Sequence, residues 1–502
     1  MSCEQQNEIS STPKVVWVVN PFDQLPNETD LPLRYWTLCR VLAEQGNEVI
    51  WWSSDFSHLT KTKRRPCPDT DGFAVRLIET PPYTKNISIA RLRNHKAFGV
   101  GFYKNAITGL KNGTLKAPDR MVVSLPPLGI AEQAFKIRDM LNQQTPTSKC
   151  EVIVDIQDAW PEIFYQLILR PLRRSLGPLL LRSLHSSARS AYRGADKISA
   201  VGQSYLDMAT TYLASKPEIK EHQKKPTHLC YLGADLTRFQ GGSKAKTHKE
   251  SGLEKKEPLK AVYIGSMGSG YDLQSIIDVA AKWKREHRFP CQIHFAGDGP
   301  QLDKLKVRGA TLGLLTWKRH SCRFSEYGTS DTSVASTNYS PVRITPPHSA
   351  SSTTHSPTSS PQSLSSKANP APAAINDSPR IVFHGYVKKD ALNDLLINAD
   401  LALVPNRPDS LVACPNKACE YAAAGLPMIS CLGGELGQLL RKYYAGSEYK
   451  EGNVESLHAA FENYLCDLNI LNRHSANARK MAEALFDRSK AYSKFVEFIL
   501  NF

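Results

Sequence analysis

The sequence has no long apolar run, and none approaches the roughly 20 residues that a membrane-spanning helix needs. The first residues, MSCEQQNEISSTPK, contain no apolar core of the secretory type, so we expect no signal peptide. The 11 cysteines are scattered without a CxxC pair or a Cys/His ligand pattern, which predicts reduced thiols in a cytoplasm. There is also no convincing DxD-type metal site, and we expect no obligatory divalent ion.

Positive charge, by contrast, is abundant. The 502 residues include 63 Lys and Arg against 48 Asp and Glu, a net charge of +15 at pH 7. This excess favours an anionic partner and leaves nucleic acid, an anionic membrane and a phosphate-bearing substrate open. A hydrophobic content of 41% is typical of a globular protein, and the length suggests two or three domains.

Two similar starts divide the chain into halves. KVVWVVN at 14–20 is a short apolar run typical of a buried strand, and LKAVYI at 259–264 is another. Each is followed by a loop and an amphipathic helix, which predicts an α/β protein with two Rossmann-like domains. We predict a disordered tail at 1–13, a first domain at 14–237 and a linker at 238–258. The predicted second domain is 259–480, with a disordered Ser/Thr/Pro-rich insertion at about 317–378. A final helix at 481–502 is predicted to cross back to the first domain.

The second half contains two glycine-rich turns. Gly265, Gly268 and Gly270 follow the strand at 259–264, and the sequence GDGP at 297–300 follows another short apolar run. Turns of this kind allow backbone N–H groups to approach a diphosphate. For GDGP we expect a role in shaping the turn rather than in chemistry.

The stretch from Asp409 to Ser430, DSLVACPNKACEYAAAGLPMIS, organises the rest of the chain. Its composition predicts a proline-rich loop, a short helix from Asn416 to Ala424 that Gly425 ends, and a strand. The start of such a helix suits a phosphate, and Glu420, one turn further on, could accept hydrogen bonds from ribose. A capped surface helix with a solvated Glu420 is the plain alternative.

The segments PNKACEYAAAGLPMIS, GDGP and DAWPE resemble those of family 4 glycosyltransferases, which are retaining, two-domain enzymes of the GT-B fold. The bacterial branch that makes capsule, O-antigen and exopolysaccharide is the most similar. The resemblance implies a nucleoside diphosphate sugar as co-substrate, UDP-linked in our expectation, with Glu420 on its ribose. Where the family usually has a second Glu, on the donor sugar, this chain has Val412. The predicted donor-binding residues are Gly265, Ser266, Gly268, Gly297, Asp298, Lys417 and Glu420, with Lys417 supplying the charge for the diphosphate.

The acceptor side is predicted in the first half. Asp158, in DAWPE, is our first candidate for a catalytic residue, and Glu162 is the second. His58 is a candidate for acceptor binding or proton handling. The resemblance extends through Tyr83 and Arg93. We predict Arg34, Asn86 and Arg91 as acceptor-binding residues.

An Arg-rich stretch at 163–193 combines Leu and Ile with six arginines. This pattern is typical of an interfacial helix on anionic lipid, although a buried helix with a charged face fits nearly as well. Lipid-linked acceptors are usual in the branch that the chain resembles, so we expect a cytoplasmic protein with peripheral association at the inner face of a membrane.

The predicted reaction is transfer of a sugar, with retention, to a glycan or lipid-linked acceptor in polysaccharide biosynthesis, by a hexosyl- or N-acetylhexosaminyltransferase. A nucleotide-sugar 2-epimerase of the same fold is one alternative, but it would need clustered acids and histidines. A non-catalytic basic scaffold or nucleic-acid-binding protein is another, but the basic residues are dispersed and we expect no nucleic-acid partner. The missing Glu at Val412 keeps an inactive transferase open as a third.

Overall fold

The structure is a computed structural model that describes residues 12–69, 71–145, 149–214, 225–239, 258–315 and 380–501. Most of the predicted tail, linker and insertion lies outside these ranges. The described residues form two halves, each built around one parallel sheet.

The first half contains a seven-stranded parallel sheet in the order β3-β2-β1-β4-β5-β6-β7. Runs such as VVWVV and RMVVSL form its central strands, because a parallel sheet covered on both faces needs continuous apolar, β-branched sequence. The strands are β1 (Val15–Val19), β2 (Glu48–Ser54), β3 (Phe73–Ile78), β4 (Arg120–Leu125), β5 (Glu151–Ile156), β6 (Lys197–Ala200) and β7 (Thr227–Leu229). The helices are α1 (Arg34–Glu44), α2 (Ile89–Lys111), α3 (Gly129–Gln144), α4 (Gly177–Leu180), α5 (Arg182–Gly194) and α6 (Gln203–Ala214), with 3₁₀ turns at Glu162–Leu167, Arg170–Leu172 and Leu236–Phe239.

The second half contains a six-stranded parallel sheet in the order β10-β9-β8-β11-β12-β13. Its strands are β8 (Leu259–Ile264), β9 (Cys291–Ala296), β10 (Ile381–Gly385), β11 (Leu401–Val404), β12 (Met428–Ser430) and β13 (Gly446–Glu448). Its helices are α7 (Leu273–Arg285), α8 (Leu302–Thr311), α9 (Lys389–Ile397), α10 (Asn416–Ala423), α11 (Gly434–Tyr443), α12 (Val454–Cys466), α13 (Leu468–Met481) and α14 (Arg488–Leu500), with a 3₁₀ turn at Pro408–Ser410 and a π-helical turn at Ala482–Phe486.

Each sheet separates two apolar layers. In β1, Trp17 and Val19 face one core cluster, while Val16 and Val18 face the other, as the two-residue period of a strand requires. Helix α14 belongs to the second of these clusters, where Phe495 packs with residues of α1. The end of the chain therefore packs on the first half.

Both sheets reverse their strand order beside the first strand of the half, between β1 and β4 and between β8 and β11. In open α/β sheets the loops at the carboxyl ends of strands next to such a reversal form the ligand-binding crevice. The loops that carry Gly265, Asn406 and the α10 segment lie there in the second half. None of the described helices has the length and apolarity needed to cross a bilayer.

Candidate functional site

The two glycine turns pack directly against each other at the carboxyl ends of β8 and β9. Gly265 has φ +142° and Gly297 has φ +135°, and a Cβ at Gly297 would collide with the Gly265 carbonyl oxygen. Met267 N donates to the Asp298 carbonyl oxygen at 2.8 Å and joins the turns. Only glycine allows this approach of two backbones. Ser266 and Asp298 are exposed at the rim, and Gly268 is half-buried.

Lys417 lies at the start of α10, with its ammonium against the first glycine turn. Its Nζ is buried and has no hydrogen-bond partner among the described residues, while the rings of Tyr263 and Tyr271 each lie 4.4 Å away. A Cβ placed on Gly265 would stand 2.8 Å from this Nζ. Burial lowers the pKa of Lys417 from 10.5 to about 7. The N-cap of the same helix, Pro415, offers no side-chain cap to the first N–H groups of α10.

Glu420 lies one turn after Lys417 on the same helix and is half-buried. Arg238 Nη1 donates to both of its carboxylate oxygens, at 2.9 and 3.1 Å, and Arg238 Nε donates to Asn393 Oδ1 at 3.1 Å. An ionised carboxylate has about four acceptor positions. The ion pair with Arg238 therefore orients Glu420 and leaves acceptor capacity for hydroxyl donors.

A second element of the site is a largely apolar pocket of about 610 Å³. Three of the predicted residues, Asn86, Arg91 and Asp158, line it from the first half, and Leu411 and Val412 line it from the second. The fold thus brings these three predicted residues next to the loop that leads into α10. The position where the resembling family usually carries a Glu contributes an apolar side chain to this wall.

Asp158 faces the open pocket, but protein surrounds its carboxyl group on the remaining sides. This desolvation raises its pKa to about 6, although the Arg91 guanidinium opposes the rise. The Arg91 guanidinium lies 5.6 Å from the ring centre of Phe22 and 5.7 Å from that of Trp160. These contacts hold the Arg91 cation at the pocket wall that Asp158 also lines.

His95 is a residue that the sequence analysis missed. It is buried, and its Nε2 accepts a hydrogen bond from Arg91 Nε at 3.2 Å. Burial and the nearby Arg91 charge lower the pKa of His95 to about 3, so the ring is neutral at pH 7. The spacing of four residues on α2 was the available signal, because residues i and i+4 share a helix face.

His58 lies beside this cluster and is not part of the pocket lining. Its ring packs 5.3 Å from Phe22, and its Nδ1 is hydrogen-bonded to the Tyr83 hydroxyl. Burial, with nearby Lys61 and Arg91, lowers the pKa of His58 to about 4. Lys61 Nζ donates to the His58 carbonyl oxygen and to Asn86 Oδ1, both at 2.6 Å, which connects His58 to the pocket wall.

The prediction for Arg34 requires a correction. Its side chain is only 1% exposed, and its guanidinium is paired with Asp155, Nε to Oδ2 at 2.7 Å and Nη2 to Oδ1 at 2.8 Å. A third bond goes to the Cys230 carbonyl oxygen at 2.9 Å. Because Arg34 is buried under the sheet edge with these partners, it has a structural role and does not meet an acceptor.

Glu435, at the start of α11, joins the two halves and was also missed. It accepts hydrogen bonds from Gln203 N at 2.8 Å, Ser204 N at 3.0 Å and the Tyr231 hydroxyl at 2.6 Å. A carboxylate from the second half therefore caps the N-terminus of α6 in the first. Nearby, the Tyr205 hydroxyl donates to the Leu411 carbonyl oxygen at 3.2 Å. These bonds set the loop at 411–413 against the first half.

Comparisons with known proteins found one family match in the second half and several proteins of similar fold. Residues 358–467 match the family described as "Glycosyl transferases group 1". Sucrose-phosphate synthase from Thermosynechococcus elongatus has a similar structure, with a TM-score of 0.60 at 13% identity over 96% of this chain and 98% of that one. HepE of Anabaena, in complex with UDP and glucose, gives 0.55 at 11% identity over 98% and 100%. WaaG, a glycosyltransferase involved in lipopolysaccharide biosynthesis, gives 0.54 at 12% identity over 97% and 100%.

No protein in a curated collection matches the chain significantly. At identities this low, the similar structures establish the fold alone. The fold is that of the GT-B glycosyltransferases, two parallel α/β halves. The residues that match the glycosyltransferase group 1 family, 358–467, include α10 with Lys417 and Glu420.

Proposed function

We propose that the protein is a retaining glycosyltransferase that moves a hexosyl or N-acetylhexosaminyl group from a nucleoside diphosphate sugar to a glycan or lipid-linked acceptor. The observation that carries the proposal is the Lys417 ammonium, buried without a hydrogen-bond partner among the described residues, beside two glycine turns and a helix start. A UDP-linked donor is our first choice, since HepE, which shares the fold, binds UDP and glucose.

In this proposal the donor's diphosphate lies on Lys417 and on the N–H groups at the start of α10, beside the glycine turns at 265–268 and 297–299. The bond between the sugar C1 and the β-phosphate oxygen breaks, and negative charge develops on that oxygen. A preorganised ammonium and fixed N–H dipoles stabilise this charge in place of a divalent ion, so we expect no metal requirement. Glu420, oriented by Arg238, accepts hydrogen bonds from the ribose hydroxyls.

The acceptor enters the pocket from the first half. With a pKa of about 6, Asp158 is mainly ionised at pH 7 and accepts a hydrogen bond from the attacking hydroxyl. Arg91 and Asn86 hold polar or anionic groups of the acceptor, and His58 supports them through Lys61. The acceptor oxygen bonds to C1 on the face that the diphosphate leaves, which accounts for retention. Asp158 takes the hydroxyl proton, and the diphosphate leaves as an anion held by Lys417.

The reaction fits a protein in the cytoplasm, where nucleotide sugars are made. An acceptor with a lipid anchor would place the protein at the inner face of a membrane. The net charge of +15 favours both the nucleotide and an anionic lipid surface. Polysaccharide biosynthesis is the pathway class that the resemblance implies.

The test is release of nucleoside diphosphate from a panel of UDP-, GDP- and ADP-sugars, with total membrane lipid as the acceptor source. We expect one donor to be consumed, and Lys417→Met to lose about 100-fold or more of the rate. Lys450→Met, an exposed control, should keep it. Asp158→Asn should lower the rate and remove an inflection near pH 6. A rate that Lys417→Met leaves unchanged would refute the donor site.

A further inference from the structure

Two short segments of the first half expose an unusual amount of aliphatic surface. Ile89 is 71% exposed, Leu169 is 72% and Leu179 is 66%. Of the 15 large apolar side chains that the described residues expose, nine lie in these segments. We name them together the leucine face, which consists of Ile87, Ile89, Leu92, Leu167, Leu169, Leu172, Leu176, Leu179 and Leu180. An apolar patch of this kind marks an interaction site.

The two segments lie on one side of the molecule, around the mouth of the acceptor pocket. Ile87, Ile89 and Leu92 line one wall of that pocket, and Leu167 and Leu180 line another. Asp158 lies in the same pocket. The leucine face is therefore continuous with the apolar interior that leads to the proposed reaction site.

A chain of side-chain hydrogen bonds lies beneath part of the leucine face. Below it the Tyr212 hydroxyl donates to Glu162 Oε1 at 2.7 Å and is hydrogen-bonded to His185 Nδ1 at 2.5 Å. His185 Nε2 is hydrogen-bonded in turn to the Tyr165 hydroxyl at 2.9 Å. This chain of bonds ties the 3₁₀ turn at 162–167 to α5 and α6, so the leucines are presented outward by an anchored scaffold.

Charge identifies the partner. No acidic residue occurs between Glu79 and Asp119, where there are seven Lys and Arg, nor between Glu162 and Asp196, where there are six. Arg93, Arg174 and Arg182 are among those exposed. A second copy of the chain would bring these cations against each other. Nucleic acid would call for stacking aromatic residues, whereas this face is aliphatic.

We propose that the leucine face docks on an anionic lipid bilayer, so that the pocket mouth opens into the lipid and admits the apolar part of the acceptor. The leucines would enter the boundary between headgroups and acyl chains, and the surrounding arginines would meet the lipid phosphates. Only the identity of the pocket's ligand rests on the proposed function. The docking itself rests on exposure and charge.

The experiment is co-sedimentation of the full-length protein with vesicles of phosphatidylcholine, alone or mixed with phosphatidylglycerol. We expect binding to the mixed vesicles, weakened about tenfold or more by Leu169→Asn with Leu179→Asn. The matched control is Leu59→Asn with Val307→Asn, because these side chains are 65% and 66% exposed outside the leucine face. Arg174→Gln should weaken binding about fivefold.

Equal binding by the Leu169/Leu179 variant and the wild type would overturn the proposal, and so would equal binding to neutral and mixed vesicles. Self-association that Leu179→Asn abolishes, without vesicle binding, would assign the face to a second copy instead. Binding of UDP, GDP and ADP, measured on the same samples, separates the two proposals. Vesicle binding without binding of any of the three nucleotides would leave the docking face and refute the transferase. Nucleotide binding without vesicle binding would support the donor site and refute the docking face.

Discussion

Replacing Lys417 with Met should change stability and nucleotide affinity in opposite directions. In the free protein the ammonium is buried without a hydrogen-bond partner among the described residues, and two tyrosine rings near it compensate part of its lost hydration. A methionine of similar length removes that cost and should stabilise the fold by about 1–4 kcal/mol, the range observed when buried ion pairs are replaced by apolar residues. Losing a charged hydrogen bond to phosphate costs about 1.5–3 kcal/mol, or roughly 10- to 150-fold in UDP affinity.

The protonation state of Lys417 gives a more specific form of this prediction. The folded-state pKa of Lys417 is about 7 and its ordinary value is 10.5, so the unfolded chain binds more protons between these values. The contribution of Lys417 to stability therefore improves as pH rises from about 7 to 10.5. At pH 8 the free lysine is mainly neutral. A bound diphosphate restores its charge, so UDP binding should take up nearly one proton, about 0.9.

Calorimetry of UDP binding at pH 8, in buffers with different ionisation enthalpies, measures this uptake directly. UDP itself is fully ionised at that pH and contributes little, since its terminal phosphate titrates near pH 6. Lys417→Met should show no uptake, with a higher unfolding midpoint in the absence of nucleotide. An unchanged uptake in the variant, or none in the wild type, would refute the assignment of Lys417 to the diphosphate.

Two further predictions concern the first half. Arg34→Met should lower the free energy of unfolding by about 3–5 kcal/mol, because Asp155 would remain buried without its cation. Urea unfolding followed by tryptophan fluorescence measures this. Arg40→Met, on the exposed side of the same helix, should cost under about 1 kcal/mol, and equal effects of the two substitutions would contradict the structural role of Arg34. The pKa of His95 is lowered to about 3, so the unfolded chain binds more protons than the folded protein between pH 6.5 and 3. The free energy of unfolding should therefore fall, by up to about 1.4 kcal/mol per pH unit, as the pH drops through this range. His95→Gln should flatten this slope and the exposed control His287→Gln should not, while parallel slopes in all three proteins would refute the buried neutral imidazole.

Local chemistry made the geometry of the two glycine turns and of α10 predictable from sequence. Gly265 and Gly297 take backbone angles that only glycine adopts readily, so the sequence marks both turns. Lys417 and Glu420 are three residues apart, and the helix that places them on one face is bounded by Pro415 and Gly425. The GT-B fold was predicted from two strand–loop–helix starts and the resemblance, and the similar structures confirm it.

Long-range packing made the rest unpredictable. Arg34 begins its helix as expected, but its partner Asp155 is 121 residues away, and nothing near Arg34 in the sequence predicts a buried pair. The Glu435 contact with Tyr231 and α6 joins segments more than 200 residues apart. The pocket is lined by segments of both halves, so neither its apolar character nor the place of Val412 could be predicted from local pattern.

The central claim is that the α10 segment holds a nucleoside diphosphate. The most direct test is calorimetric titration of UDP, GDP and ADP into the wild type, Glu420→Gln and the exposed control Glu483→Gln. We predict that one nucleotide, UDP first, binds the wild type and the control and that Glu420→Gln weakens it, since the amide accepts fewer hydrogen bonds from ribose. If none of the three binds a correctly folded wild type at millimolar concentration, the claim is wrong.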